Sequence, residues 1–222
     1  MRDHGESPKT STMNHENNVR DLENFLNKLN QPCVLIGHSL GGTAAIDLAF
    51  KQPHLVKDLI MIDISPLRYP ESEEEYGALV CKNLKVMLLK LPKELSLFKA
   101  RTILENEMHK SVKCSSLVKI VSSNLIKKEE GWKWNVGIDV LQKLSEVKAM
   151  KNVYPIRGSY DGKCLLIHSD TSQYVIPKYD YEMLKTLFPK IKITCFKNCS
   201  HWIHVEKRNE LIYEIVQHLN HH

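Results

Sequence analysis

The sequence predicts an open, parallel α/β sheet with helices on both faces. Three observations predict it. The runs "CVLIG", "KDLIMID", "CLLIH" and "KITCF" are short, apolar and bounded by turn residues, as buried strands are. Segments of helical periodicity lie between them, and strand-helix alternation is the mark of a parallel sheet. One long helical stretch, from about Glu71 to Val147, interrupts the alternation between the second and third runs. The expected sheet therefore has about four strands and carries a helical insertion above the carboxyl ends of its strands, where open α/β sheets bind ligands.

The elements follow in order. "MRDHGESPKTST" is polar and turn-rich, and Val19, Leu22, Phe25, Leu26 and Leu29 then recur at helical spacing. Pro32 opens the first strand. From Ser39 to Lys51 the small residues Gly41, Gly42, Ala44, Ala45 and Ala49 suit a helix packed closely on a sheet, and Pro53 ends it. "KDLIMID" is stopped by "SP". Within the insertion, rich in Leu, Lys and Glu, no strand signal appears before "WKWNV"; Trp132 and Trp134 are expected to pack it internally. A helix from Pro177 to Phe188 separates the last two strands. A final amphipathic helix, from about Glu206 to Leu219, places Leu211, Ile212, Ile215, Val216 and Leu219 on one face. Three segments result: residues 1–70 and 151–222 as the two parts of the core, and 71–150 as a cap.

Composition narrows the function classes. The 222 residues, 42% hydrophobic and 26% charged, suit a globular domain with a sizeable core. The net charge of +5 is scattered in lysines along the chain, so it gives no nucleic-acid footprint. No apolar run approaches the roughly 20 residues that cross a bilayer, and no N-terminal charged-then-apolar signal is visible. The six cysteines are too dispersed for a disulfide framework. Cys195, Cys199 and His201 lie near one another, but no second ligand pair has zinc-like spacing. No metal and no cofactor is expected.

The chemistry concentrates at Gly37-His38-Ser39-Leu40-Gly41. A Gly-x-Ser-x-Gly turn between strand and helix holds its serine in a strained conformation with the hydroxyl protruding at the top of the sheet. Glycines at both flanks are expected to remove side chains that would collide with the neighbouring strand and helix. The helix N-terminus favours negative charge, and the Leu40 N–H is placed to donate to an oxyanion. Ser39 needs a base. "KITCFKNCSHWIHVEK" places His201 on the loop after the last strand and before the final helix, with His204 as its rival. The order serine, then C-terminal histidine, is that of the α/β-hydrolases. Three aspartates compete to orient the imidazole: Asp63 at the end of "KDLIMID", Asp170 after "CLLIHS", and Asp139 in the insertion. Asp63 ranks first because its strand adjoins that of the serine.

"VLIGHSLGGTAAIDLAFKQPHLVKDLIMIDISP" resembles the α/β-hydrolase superfamily. More narrowly, "IHSDTSQYVIPKYDYEMLKTLFPKIKITCFKNCSHWIHVEK" is similar to the group around abhydrolase domain-containing protein 11 and its small bacterial esterase relatives. The resemblance implies a partial α/β-hydrolase fold and a serine hydrolase of acyl or lipid esters, with Ser39 as nucleophile and His201 as base. It implies a mitochondrial or cytoplasmic setting. The slot in which many members carry the acid falls on Ser172, with Asp170 out of register, which again points to Asp63; Asp139 stays open because the group has an aspartate in a similar context. The resemblance further implies that strands and a His-Gly oxyanion loop precede "RDHGESP"; His4-Gly5 matches a later turn. On that reading the chain exposes "CVLIG" as an apolar edge and is poorly soluble or weakly active. The alternative is a non-catalytic relative that binds or regulates.

Overall fold

A computed structural model describes residues 1–10, 12–70, 84, 87–88, 91–139 and 152–220. The parts of the helical insertion at 71–83 and 140–147, and Cys81, lie outside the described residues. The chain forms two compact units, one of residues 14–70 and 150–222, the other of residues 1–13 and 71–149.

The first unit holds the sheet. Its helices are α1 (His15–Leu29), α2 (Leu40–Lys51), α5 (Pro177–Leu187), α6 (Ile203–Glu206) and α7 (Arg208–Asn220), and its strands β1 (Cys33–His38), β2 (Val56–Ile62), β5 (Lys163–Ser169) and β6 (Ile191–Phe196). The four strands pair in the order β1-β2-β5-β6, all parallel. Two-residue alternation divides the side chains between the faces. Leu59, Met61, Cys164 and Leu166 face the α1/α2 side, with Leu48, Ala49, Leu184 and Phe188. Ile60, Ile62, Leu165 and Ile167 face the other, with Ile203 and Leu211. Each such fully buried aliphatic side chain contributes about 1.5–3 kcal/mol.

Two expectations about this unit need correction. The final helix starts at Arg208, after the separate turn α6, and not at Glu206. Its apolar residues do not share one face: Leu211, Ile215 and Leu219 pack on the sheet, whereas Ile212 and Val216 are exposed. The inward set follows i, i+4, i+8, and residues one position on rotate by about 100° toward solvent.

The second unit contains α3 (Leu97–Met108), α4 (Ser115–Ser123) and an antiparallel hairpin of β3 (Leu125–Lys128) and β4 (Gly131–Trp134). Trp132 is buried with Leu104, Val118 and Leu125, and Trp134 packs beside them. Strand β3 precedes "WKWNV" and carries no sequence signal of its own: its four residues, "LIKK", end in two lysines. The N-terminal turn is anchored to this unit. Asp3 accepts from the Thr10 N–H and hydroxyl, both at 2.7 Å, and Gly5 N–H donates to the Asn135 carbonyl.

Candidate active site

At the end of β1 the chain turns directly into α2, and the residue at the turn is Ser39. Its backbone is at φ 50° and ψ −124°, the left-handed half of the map that an L-residue enters at a cost. Tight fastening holds it there. Ser39 N–H donates to the Ile62 carbonyl of β2 at 3.3 Å, and its own carbonyl accepts from Thr43 N–H at 2.9 Å. The hydroxyl does not cap the helix, so the backbone is fixed while the side chain stays available.

The glycine requirement differs from the expectation in one respect. A Cβ on Gly37 would lie 2.5 Å from the Gly42 Cα, and one on Gly42 would lie 2.4 Å from Ile64 and 2.8 Å from the Gly37 carbonyl oxygen. A Cβ on Gly41 would meet nothing within 4 Å. The close approach of strand and helix is thus made by Gly37 and Gly42, one residue beyond the pentapeptide.

Asp63 follows β2 and is likewise left-handed, at φ 48°. It is fully buried. Its N–H donates to the Ile167 carbonyl at 2.7 Å. Of its carboxylate oxygens, Oδ1 accepts from Ser169 N–H at 2.9 Å and Oδ2 from His201 Nδ1 at 2.8 Å. An acceptor at Nδ1 assigns the proton to that nitrogen and leaves Nε2 with its lone pair. The other two aspartates are placed elsewhere. Asp170 is exposed at the end of β5, and Asp139 belongs to the second unit. Ser172 is a turn former, its hydroxyl accepting from Tyr174 and Val175 N–H at 3.2 Å.

The loop that carries His201 is built by side chains. Glu206 accepts from Ser200 N–H and hydroxyl, both at 2.7 Å, and Thr171 donates to the Cys199 carbonyl at 3.0 Å. Around the imidazole stand the Tyr174 ring, stacked at 4.7 Å, and the His38 ring at 4.5 Å. His38 Nε2 donates to the His201 carbonyl at 2.9 Å. Burial, then the nearby His201, holds the His38 imidazole down at about 4. His204, within α6, has a ring 4.6 Å from that of His38. Its Nδ1 is buried with no hydrogen-bond partner among the described residues, and burial, then His201, lowers its pKa. Burial, then the Asp170 charge, pushes the Cys199 thiol up to about 11. A protonated thiol is a poor metal ligand. Among the described residues no cluster of His, Cys, Asp and Glu has the geometry to hold an ion.

Sequence reasoning missed four members of this environment. His38 lay inside the motif, but nothing in the pattern reveals where its ring points. Tyr174 and Thr171 act through tertiary contacts, and Glu206 bonds back to Ser200 within the loop; none of the three has a motif that marks it. In chemical terms, the arrangement offers an imidazole oriented by a buried carboxylate. It also offers a serine on a strained turn, and the Leu40 N–H among the first-turn donors that lack an intrahelical acceptor.

Comparison with known proteins gives concordant matches. The Hydrolase_4 family, described as serine aminopeptidase, S33, matches residues 1–208. The sn-1-specific diacylglycerol lipase ABHD11 of Danio rerio is 29% identical over 216 residues, covering 97% of this chain and 66% of that protein. Its Mus musculus counterpart is 29% identical over 213 residues, covering 95% and 67%. The chain thus spans about two thirds of the length of these relatives. Among solved structures, a marine microorganism esterase aligns with a TM-score of 0.80 at 24% identity, over 97% of this chain and 81% of that one. An alpha/beta hydrolase enzyme from a Medee basin deep-sea metagenome library aligns with a TM-score of 0.64 at 19% identity, over 100% and 78%.

Proposed function

The chain belongs to the Hydrolase_4 (serine aminopeptidase, S33) family, and from that premise we propose that it is a serine hydrolase of carboxylic esters, acyl or lipid, working through an acyl-enzyme. The observation that carries the reading is the 2.8 Å bond between buried Asp63 and His201 Nδ1, with the His201 ring 4.5 Å from that of His38, the residue before the strained Ser39. The relatives named as diacylglycerol lipases support an acyl-ester substrate.

In the proposed sequence the Ser39 hydroxyl attacks the ester carbonyl while His201 Nε2 takes its proton. Asp63 stabilises the resulting imidazolium. Charge on the tetrahedral oxygen is met by the Leu40 N–H at the positive end of α2. The imidazolium then protonates the departing alcohol, leaving Ser39 acylated. Water, deprotonated by the same nitrogen, releases the acid and restores the serine.

The test is labelling of the chain with a fluorophosphonate probe, beside hydrolysis of p-nitrophenyl butyrate and a diacylglycerol. Labelling that disappears in Ser39→Ala and His201→Ala is expected. A folded chain that neither labels nor turns over either ester would support the binding or regulatory reading instead.

A further inference from the structure

We propose that His38 is a positioning residue: its Nε2–H bond to the His201 carbonyl holds the base-bearing loop in register with Ser39. The inference rests on the assignment of Ser39 and His201 above and adds a residue that the Ser-His-Asp scheme does not include.

Asp63 alone leaves the imidazole under-determined. A ring bonded at Nδ1 and stacked on Tyr174 at 4.7 Å can still slide in its own plane and carry Nε2 away from the serine. A second tie on the His201 backbone removes the freedom, and the bond from His38 is such a tie. It joins positions 163 residues apart in the chain. Its donor stands on a rigid post. His38 is the last residue of β1, in register with Ile62 of β2, and Ile62 also receives the N–H of Ser39. One peptide unit therefore fixes both the serine and the donor that sets the base loop.

The donor's chemistry fits the task. Since the His201 carbonyl only accepts, the His38 proton sits on Nε2. The ring also lies 4.5 Å from that of His201. A permanent cation there would oppose the imidazolium that the reaction forms, and burial keeps this group neutral at neutral pH. The position calls for an uncharged N–H donor of imidazole length. Glutamine reaches with its terminal amide; asparagine is one methylene short; leucine fills the volume but cannot donate.

The experiment compares His38→Gln, His38→Asn and His38→Leu by fluorophosphonate labelling rate and by kcat and KM for p-nitrophenyl butyrate. A misplacement of the base by about an ångström costs on the order of a hundredfold. His38→Leu and His38→Asn are therefore expected to lose about 10- to 100-fold in kcat and in labelling rate, with KM within about threefold of the unsubstituted chain. His38→Gln is expected to recover most of the loss. Should His38→Leu fail to fold, the contrast between Gln and Asn, both polar amides, still decides. Equal rates for all three variants, or a Gln variant no faster than the Asn variant at matched thermal stability, overturn the proposal. Labelling that survives Ser39→Ala would overturn the underlying assignment instead, and the two failures are read from different variants.

Discussion

At the scale of single residues, the proposed mechanism separates positions that chemistry would need from positions that geometry needs. Asp63→Asn keeps the shape of the acid but leaves Nδ1 facing an amide that can present its own N–H, so the imidazole loses its preferred tautomer. We expect kcat to fall by about 10³- to 10⁴-fold, with Asp170→Asn at the unsubstituted rate because Asp170 is exposed and His201 Nδ1 is bonded to Asp63. The glycines give a second contrast, read by urea unfolding. Gly42→Ala sets a methyl against Ile64 and the Gly37 backbone and is expected to cost about 1–3 kcal/mol. Gly41→Ala points into open space within a helix and is expected to be neutral or to stabilise by about 0.5 kcal/mol. Much of the geometry of this candidate site, the turn at Ser39 and the pairing of His201 with Asp63, was legible in the linear chain. Ser39 and His201 were singled out because each lies where a strand gives way to a helix, and Asp63 ranked first because it ends the adjacent strand. Gly42 was not distinguished from Gly41, because the motif records which residues are present and not which pair approaches.

At the scale of elements, α1 and α2 are joined by a polar staple beside their apolar contact. His15 Nε2 and Lys51 Nζ converge on Asp47 Oδ2 at 2.7 and 2.8 Å. Burial pushes the Asp47 carboxyl up, but the bonds from His15 and Lys51 outweigh it and leave its pKa below the ordinary value. A lowered carboxyl contributes stability that is fully present above the unfolded value, near 4, and is lost as pH falls through the folded one. Asp47→Asn should therefore cost about 1–3 kcal/mol at pH 7 and progressively less below about pH 4; unfolding in urea at both pH values checks it. A second polar clamp joins α7 to the sheet: His218 Nε2 meets Asp58 Oδ1 at 2.9 Å, both buried. Asp58→Ala strands the imidazole, and thermal unfolding should show a loss of about 3–5 kcal/mol. The short apolar runs announced the sheet strands, periodicity announced α1, and small residues closed by Pro53 announced α2. Strand β3 and the split between α6 and α7 did not show, since "LIKK" and "IHVE" are too short for any period to emerge.

At the scale of the whole molecule, the two edges of the sheet are treated differently. Strand β6 carries Lys192 and is followed by Lys197, charges of the kind that discourage further pairing. Strand β1, the other edge, has no Lys, Glu or Asp, and exposes Val34 at 36% and Ile36 at 52%. Self-association of the expressed chain is expected, and Ile36→Lys should raise the monomer fraction measured by sedimentation velocity while leaving the circular dichroism unchanged. Acid sensitivity is a second global property. Burial holds the imidazoles of His38, His168 and His204 below their ordinary value. The unfolded chain then binds more protons than the folded one, so stability is complete above about pH 6.5 and declines as pH drops toward 4. Urea midpoints at pH 7.5 and 5 should differ in that direction, and less so in His38→Gln. Docking of the first 13 residues with the insertion was not legible, because it depends on Asp3 and Gly5 meeting residues more than a hundred positions away. The order of the three site residues has a consequence for biosynthesis. Ser39 and Asp63 are translated before the histidine of the set, which follows Asp63 by 138 residues. On the proposed mechanism, a nascent polypeptide halted before Cys199 should carry an inert serine, blind to the phosphonate reagent, until the imidazole partner of Asp63 has been added.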